Sequence, residues 1–503
     1  MRTYKTAALI LFACMTACNG AKTSDLSQAA IQAALESGGN SAQLQSFYAR
    51  IGWKSPWSDK NVTALHEALA SRVKHGLNHI SFPDPPSSGV EPAELDIART
   101  RVALAYAGAL SRGFVDPHAL HEVYTIPRPQ ADVAAGLAQA LQQGRLAQWF
   151  DGLAPQDGDY RILSKAYQDY EKEASNATQP KISDVGGTIK AGDADPRISD
   201  IAPQLVANGY LERTPIAGGE QDKYTQRIVS AVKQFQRDFG ITDDGVIGPD
   251  TLEAINMGPA ARARATAVAL ERLRWLARDP APTRIDVNIA AAELSYWRDD
   301  KLADQRKVIV GQPGKETPQL LAPMFRLVAN PTWTIPRPIQ NGQLAGKSAD
   351  YFRAHNMAWR DGWIVQESGP GNSLGLVKFD LQDDQEIYLH DTDARSLFTR
   401  SQRQLSHGCV RVYDALGFAA MIAQHEGIAD QWKEARDSGK QQFVKLPKPI
   451  PVRLLYHTAF VGAQGEVQVR TDPYGWDDAL SEKLGFGKRS LAQFKANADD
   501  FGP

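Results

Sequence analysis

The stretch LSHGCVRVYD, Leu405 to Asp414, decides how the rest of the chain is read. A cysteine follows a histidine and a glycine and opens an alternation of apolar and basic residues. Such alternation is the mark of an extended strand, and it puts Cys409 and Arg411 on one strand face. A cysteine in this setting is a small buried hydrophobe, a metal ligand or a nucleophile. The chain has three cysteines, at positions 14, 18 and 409. The first two lie in the apolar run TAALILFACMTAC (6–18), behind Arg2 and Lys5. A charged start and a short apolar core read as a secretory signal, residues 1–17. The small residues Thr16 and Ala17 before Cys18 suit lipidation of that cysteine, although Met15 stands where leucine is usual; plain cleavage near Ala17 is the other reading. With Cys14 removed and Cys18 capped, Cys409 is the one free thiol of an exported chain. It then has no intramolecular disulfide partner and cannot build a cysteine-rich zinc site. The expected location is the periplasm, with the lipid anchor on a membrane, the outer one preferred.

Composition limits the alternatives. Of 503 residues, 43% are hydrophobic and 23% charged, as in ordinary globular protein, and the length implies several domains. A net charge of −2 leaves no footprint for nucleic acid. No internal stretch is apolar and long enough to span a bilayer.

Working outward from Cys409, the periodicity changes twice. Residues 18–26 read as a tether and 27–180 as a helical scaffold. Its helices are NVTALHEALASRVKHG (61–76), ELDIARTRVALAYAGALSRG (94–113) and DYRILSKAYQDYEKEA (159–174). Leu65, Ala68, Leu69 and Val73 share a face of the first. Leu95, Ala98, Val102, Ala105 and Ala109 recur along the second. A Gly- and Asp-rich linker covers 181–197, a small helical unit 198–259 and a further scaffold helix 260–282. From Thr283 the period becomes two, so a mainly β domain is expected over 283–480, followed by a tail over 481–503. Residues 331–375 are long for a strand connection and carry Trp333, Tyr351, Phe352, Trp359 and Trp363, which reads as an inserted cap bordering the site.

A thiolate attacks carbonyl carbon, and a nearby histidine is its usual activator. His407 stands two residues before Cys409, and His390 ends a predicted strand nineteen residues upstream. Gly408 lets backbone approach a substrate, and the N–H groups of Gly408 and Cys409 are candidates for an oxyanion hole. Arg411 is a candidate for bidentate binding of a carboxylate. Each residue taken singly also has a purely structural reading.

Two stretches resemble known families. YTQRIVSAVKQFQRDFGITDDGVIGPDTLEAINMG (224–258) is similar to the small helical peptidoglycan-binding domain, through Phe235, Gln236, Gly240, Asp244, Gly245, Gly248, Pro249, Thr251, Leu252 and Asn256. Those residues mostly build a turn, so a module that packs without binding is the competing reading. His390 with Ser406, His407, Gly408, Cys409, Val410 and Arg411 resembles the L,D-transpeptidase catalytic domain, the YkuD-like fold. NPTWTIPRPI (330–339), GPGNSLGLVKF (369–379) and IYLHDT (387–392) fit the large periplasmic branch of that family. The resemblance implies an α+β multidomain chain: a mainly β catalytic domain with a cap, a helical scaffold and a three-helix peptidoglycan-binding unit.

The resemblance also implies roles. Cys409 is the nucleophile and His390 the general base, oriented by the backbone carbonyl of Asp391. His407, Ser406 and Gly408 shape the site, and Arg411 and Trp333 meet the substrate. Donor and acceptor are peptidoglycan tetrapeptide stems, a D,D-carboxypeptidase is the expected supplier of tetrapeptides, and no metal or organic cofactor is needed. If water resolves the thioester, the same residues make an L,D-carboxypeptidase or endopeptidase. A non-catalytic wall-binding lipoprotein is the reading from a different class.

Overall fold

The computed structural model describes residues 26–37, 41–83, 89–176, 181–183, 185–213 and 221–487. The signal segment, Cys18 and most of the expected C-terminal tail lie outside the described residues. The chain divides into two compact units.

The first unit comprises residues up to Ala70, Phe82–Gly108 and Asp132–Leu153. It holds helices α1 (Gln28–Ser37), α2 (Ala42–Arg50), α3 (Asp59–Ala70), most of α4 (Pro92–Arg112), α5 (Val133–Gln142) and α6 (Leu146–Asp151). Ser41 and Asp132 cap α2 and α5 by accepting the N–H groups of Leu44 and Ala135, which satisfies donors that the first turn leaves open. Leu65, Ala68 and Leu69 are buried along α3, as their spacing predicts. Helix α4 departs from a simple amphipathic face: Ala105 is exposed and Asp96 fully buried. The Asp96 carboxylate accepts the Tyr48 hydroxyl at 2.6 Å and the Ser55 hydroxyl. Burial still raises its pKa to about 6. A polar knot occupies a place that apolar periodicity alone would fill with carbon.

The second unit comprises Ser71–Ser81, Ala109–Ala131 and the chain from Ala154 onward. Helix α7 (Gly158–Asn176) packs on α11 (Pro259–Trp275). Between them lie α8 (Ile198–Ala207), α9 (Gln226–Asp238) and α10 (Pro249–Ile255). Fully buried Gln236 ties the α9–α10 turn. Its Nε2 donates to the Val246 carbonyl at 2.9 Å and to Asp244 and Thr251 at 3.1 Å, while its Oε1 accepts Gly245 N–H at 2.8 Å. Gln236→Ala takes the acceptor from the buried Gly245 N–H and the shared donor from Asp244, the Val246 carbonyl and Thr251. It is expected to destabilise this three-helix region by about 2–3 kcal/mol, read as a lower urea midpoint.

The β domain is one sheet that closes on itself. Its strands are β1 (Arg284–Asn288), β2 (Glu293–Arg298), β3 (Lys301–Gly311), β4 (Leu320–Ala329), β8 (Val377–Leu381), β9 (Leu389–His390), β10 (Gln404–Ser406), β11 (Val410–Val412) and β12 (Gln442–Leu455). They run in the order β10-β3-β11-β9-β8-β4-β12-β1-β2, and β2 returns to the first half of β3. The enclosed core holds Val308, Leu327, Phe379, Leu389, Val410 and Val452, all fully buried. Helices α14 (Ala415–His425) and α15 (Ala429–Asp437), which a reading by period two does not place, cover it with Phe418, Ile422 and Trp432. Between β4 and β8 lies a second, smaller body. It contains β5 (Trp333–Thr334), α12 (Arg337–Asn341), α13 (Ala349–Ala354), β6 (Met357–Arg360) and β7 (Trp363–Gln366). Its own core is Trp333, Ile335, Ile339, Leu344, Met357, Ile364 and Leu374. Trp359 and Trp363 are exposed on this small sheet.

Candidate active site

Strand register brings the site together. In β8 and β9, Lys378 faces His390 and Phe379 faces Leu389; in parallel β9 and β11, Leu389 faces Val410 and His390 faces Arg411. Register partners share a face and successive residues alternate. Phe379, Leu389 and Val410 therefore enter the core. Lys378, His390 and Arg411 lie on the opposite face. One step along, Cys409, Tyr388 and Asp380 return to that same face. His390 and Cys409, nineteen residues apart in sequence, thus share one face of adjacent strands; Cys409 lines the cavity over that face, whereas His390 is fully buried and does not line it.

A cavity of about 920 Å³ opens over this surface. Its floor includes Cys409, Gly408, His407, Tyr388, Lys378 and Asp380. The β3–β4 loop contributes Lys315 and Glu316, and the small body contributes Pro336, Ile339 and Gln343. Gln343 Nε2 lies 3.1 Å from His407 Nε2. An amide nitrogen only donates, so that ring nitrogen accepts.

Cys409 is 7% exposed, and its Sγ lies 3.8 Å from the Glu386 carbonyl oxygen. Burial pushes the thiol up to about 11. Hydrogen bonds from the Tyr388 N–H and hydroxyl, and the charge of Lys378, work against that rise. At neutral pH the resting sulfur is a protonated thiol. Alkylation of Cys409 by iodoacetamide is therefore expected to climb about tenfold per pH unit from pH 7 to 10. A plateau near the ordinary thiol value of about 8.5 would contradict this environment.

His390 is fully buried, with Nδ1 2.5 Å from the Asp391 carbonyl oxygen. A carbonyl accepts only, so Nδ1 carries the proton and Nε2 keeps its lone pair. The Asp391 carboxylate accepts Leu376 N–H at 3.0 Å and pairs with Arg395 at 3.4 Å. Ser406 closes the cysteine turn: its hydroxyl donates to the Cys409 carbonyl at 2.6 Å and accepts Gly408 N–H at 3.1 Å. Gly408 sits at φ +121°, a conformation open to glycine.

Three expectations change. Gly408 N–H is used inside the turn, so it is not an oxyanion donor in this arrangement. Arg411 is fully buried and does not line the cavity. It lies on the expected strand face, paired in the sheet to Ile309 of β3 and His390 of β9. Trp333 is 2% exposed in the core of the small body and does not line the cavity. Tyr388, Lys378 and Gln343 border the sulfur or its neighbours, and the sequence reading passed over all three. The alternation in IYLH, which puts Tyr388 two residues before His390, was the available signal for the first.

Comparisons with known proteins follow the same layout. Residues 282–432 match the L,D-transpeptidase catalytic domain, 42–166 a scaffold domain and 195–255 a "Putative peptidoglycan binding domain". A Haemophilus influenzae protein described as "Putative L,D-transpeptidase" is 31% identical over 225 residues, covering 39% of this chain and 45% of that protein. The match thus spans less than half of that relative's length. Among solved structures, an L,D-transpeptidase from Stackebrandtia nassauensis is 15% identical, with a TM-score of 0.23 over 56% of this chain and 97% of that one. One from Enterococcus faecium is 14% identical, with a TM-score of 0.19 over 35% and 50%. The domain set points to the cell envelope. Among the described residues no helix is long and apolar enough to cross a membrane.

Proposed function

We propose, for a chain that carries the L,D-transpeptidase catalytic domain beside a scaffold domain and a peptidoglycan-binding domain, that it cross-links the third residues of two peptidoglycan stems through a thioester on Cys409. The observation that carries this reading is the common surface of Cys409 and His390, with the His390 tautomer set by the Asp391 carbonyl.

Cys409 Sγ attacks the carbonyl between the third and fourth residues of a donor tetrapeptide. Its proton passes to His390 Nε2, and the carbonyl oxygen becomes an oxyanion. Collapse breaks the C–N bond; His390 returns the proton to the departing amine, and D-alanine leaves. The acyl group remains on sulfur. An amine of the acceptor's third residue then attacks the thioester, loses its proton to His390, and the thiol is restored. Lys378, half-buried on the cavity floor and paired with Asp380 at 2.9 Å, takes over the carboxylate contact expected of Arg411. A lipid on Cys18 would hold the protein at a membrane of the periplasm, within reach of the wall.

The test is incubation of the soluble chain after Cys18 with disaccharide-tetrapeptide, beside a Cys409→Ala control. A dimer lacking one D-alanine, absent from the control, supports cross-linking. Tripeptide monomer alone would replace transfer to an amine by hydrolysis. No consumption with either protein would sink the acyl-transfer reading.

A further inference from the structure

The turn that carries Cys409 is braced from behind by a second loop. Residues 312–319 join β3 to β4 and fold tightly over Gly311. A Cβ on Gly311 would run into the Lys315 carbonyl and the Thr317 nitrogen. Thr317 is fully buried and does not line the cavity. Its Oγ1 accepts Gly311 N–H at 2.8 Å and lies 2.7 Å from the Gly408 carbonyl. That carbonyl only accepts, so the single hydroxyl proton of Thr317 is directed to Gly408. Thr317 is fixed in turn by Tyr474, whose hydroxyl donates to the Gly311 carbonyl at 2.5 Å and accepts Thr317 N–H at 3.3 Å.

This chain of bonds sets one peptide plane. The Gly408–Cys409 bond is trans, so its C=O and N–H point in opposite directions. The C=O is turned back toward buried Thr317, so the Cys409 N–H is turned away from it. Gly408 N–H is already held by Ser406. The geometry points to Thr317 as a positioning residue that aims the Cys409 N–H at the oxyanion formed when sulfur attacks a carbonyl. Tyr474, over 150 residues away in sequence, keeps Thr317 in place. The inference rests on the acyl-transfer reading given above.

The test separates two reactions of the same sulfur. With a carbapenem, Sγ attacks the β-lactam carbonyl. A C–S bond forms, the ring C–N bond breaks, and the ring nitrogen takes up the proton, so the adduct mass is the sum of the two. An oxyanion develops on the way. With iodoacetamide, a C–S bond forms and iodide leaves, and no oxyanion develops. Thr317→Val removes the hydroxyl at nearly constant volume, Thr317→Ser keeps it, and Tyr474→Phe loosens it from behind. Thr317→Val is expected to slow carbapenem acylation roughly 10- to 100-fold, somewhat less than outright loss of an oxyanion donor. Thr317→Ser is expected to stay within about threefold of wild type, and Tyr474→Phe to fall between the two. Alkylation should change by less than about twofold in all three. Equal losses in both reactions, or acylation of Thr317→Val at the wild-type rate, would overturn the assignment. If Thr317→Val does not fold, Tyr474→Phe carries the same comparison. A wild-type chain that is alkylated at Cys409 yet takes up no carbapenem would defeat the acyl-transfer reading itself.

Discussion

His390→Gln is expected to lower acylation of Cys409, by tetrapeptide or by a carbapenem, by about 10²- to 10⁴-fold. The size follows from the resting state of the sulfur. With the thiol pushed up to about 11, roughly one molecule in 10³ to 10⁴ holds a thiolate at neutral pH. The small thiolate pool makes removal of the thiol proton part of the reaction. His390 is built to receive it: Nδ1 donates its proton to the Asp391 carbonyl, which places the ring lone pair on Nε2. Burial on a closed sheet holds the ring in that orientation. Glutamine approximates its volume but cannot take up a proton. The measurement is single-turnover adduct formation followed by mass at pH 7.5. A loss below tenfold would remove His390 from the proton path. Recovery of the variant's rate at pH 10, where the thiolate is more abundant, is the accompanying signature.

The second large effect lies outside the site and acts on stability. Glu271 on α11 is fully buried. Its carboxylate accepts Arg274 at 2.6 Å, Val115 N–H at 2.8 Å and the Trp275 indole at 3.2 Å. Arg274, also fully buried, reaches onward to the Tyr160 hydroxyl at 2.8 Å and the His75 carbonyl at 2.7 Å. Glu271→Ala strands a guanidinium in the interior, and the expected loss is about 3–5 kcal/mol in chemical denaturation. Replacing Glu271 and Arg274 together by apolar residues of similar size is expected to cost less than Glu271→Ala alone. A double variant that is weaker still would show that the pair itself, rather than the orphaned charge, carries the stability.

Much of this architecture can be read from local pattern. Period two from Thr283 onward anticipates β1, β2, β3 and β12, and the S-H-G-C turn with an upstream histidine marks the two segments that pair as β9 and β11. What escapes is whatever depends on register between distant strands. Arg411 has the spacing of a substrate ligand, yet it is fully buried and does not line the cavity. Trp333 belongs to a segment that borders the cavity, but its ring turns into that segment's own core. Thr317 and Tyr474 carry no local signature at all. Their meaning arises because the β3–β4 loop and the chain after β12 meet behind Gly408. The same holds for Glu271, which looks like an exposed charge on an amphipathic helix until α7 and the segment after α4 close over it.

The alternation along β8, β9 and β11 has a consequence for how such a protein can diverge. Val377, Phe379, Leu389, Val410 and Val412 belong to the core, while Lys378, Asp380, Tyr388, His390 and Cys409 belong to the opposite face. The two sets share strands but no side chains. Selection on what the cleft accepts can therefore rewrite Lys378 or Asp380 without touching a buried apolar contact. Drift in the core can exchange Val for Ile without moving the chemistry. An insertion or deletion of one residue in these strands has no such freedom, since it would exchange the two sets at a stroke. Descendants of this sheet are free to substitute along it, but their changes in length are confined to the loops and to the body between β4 and β8.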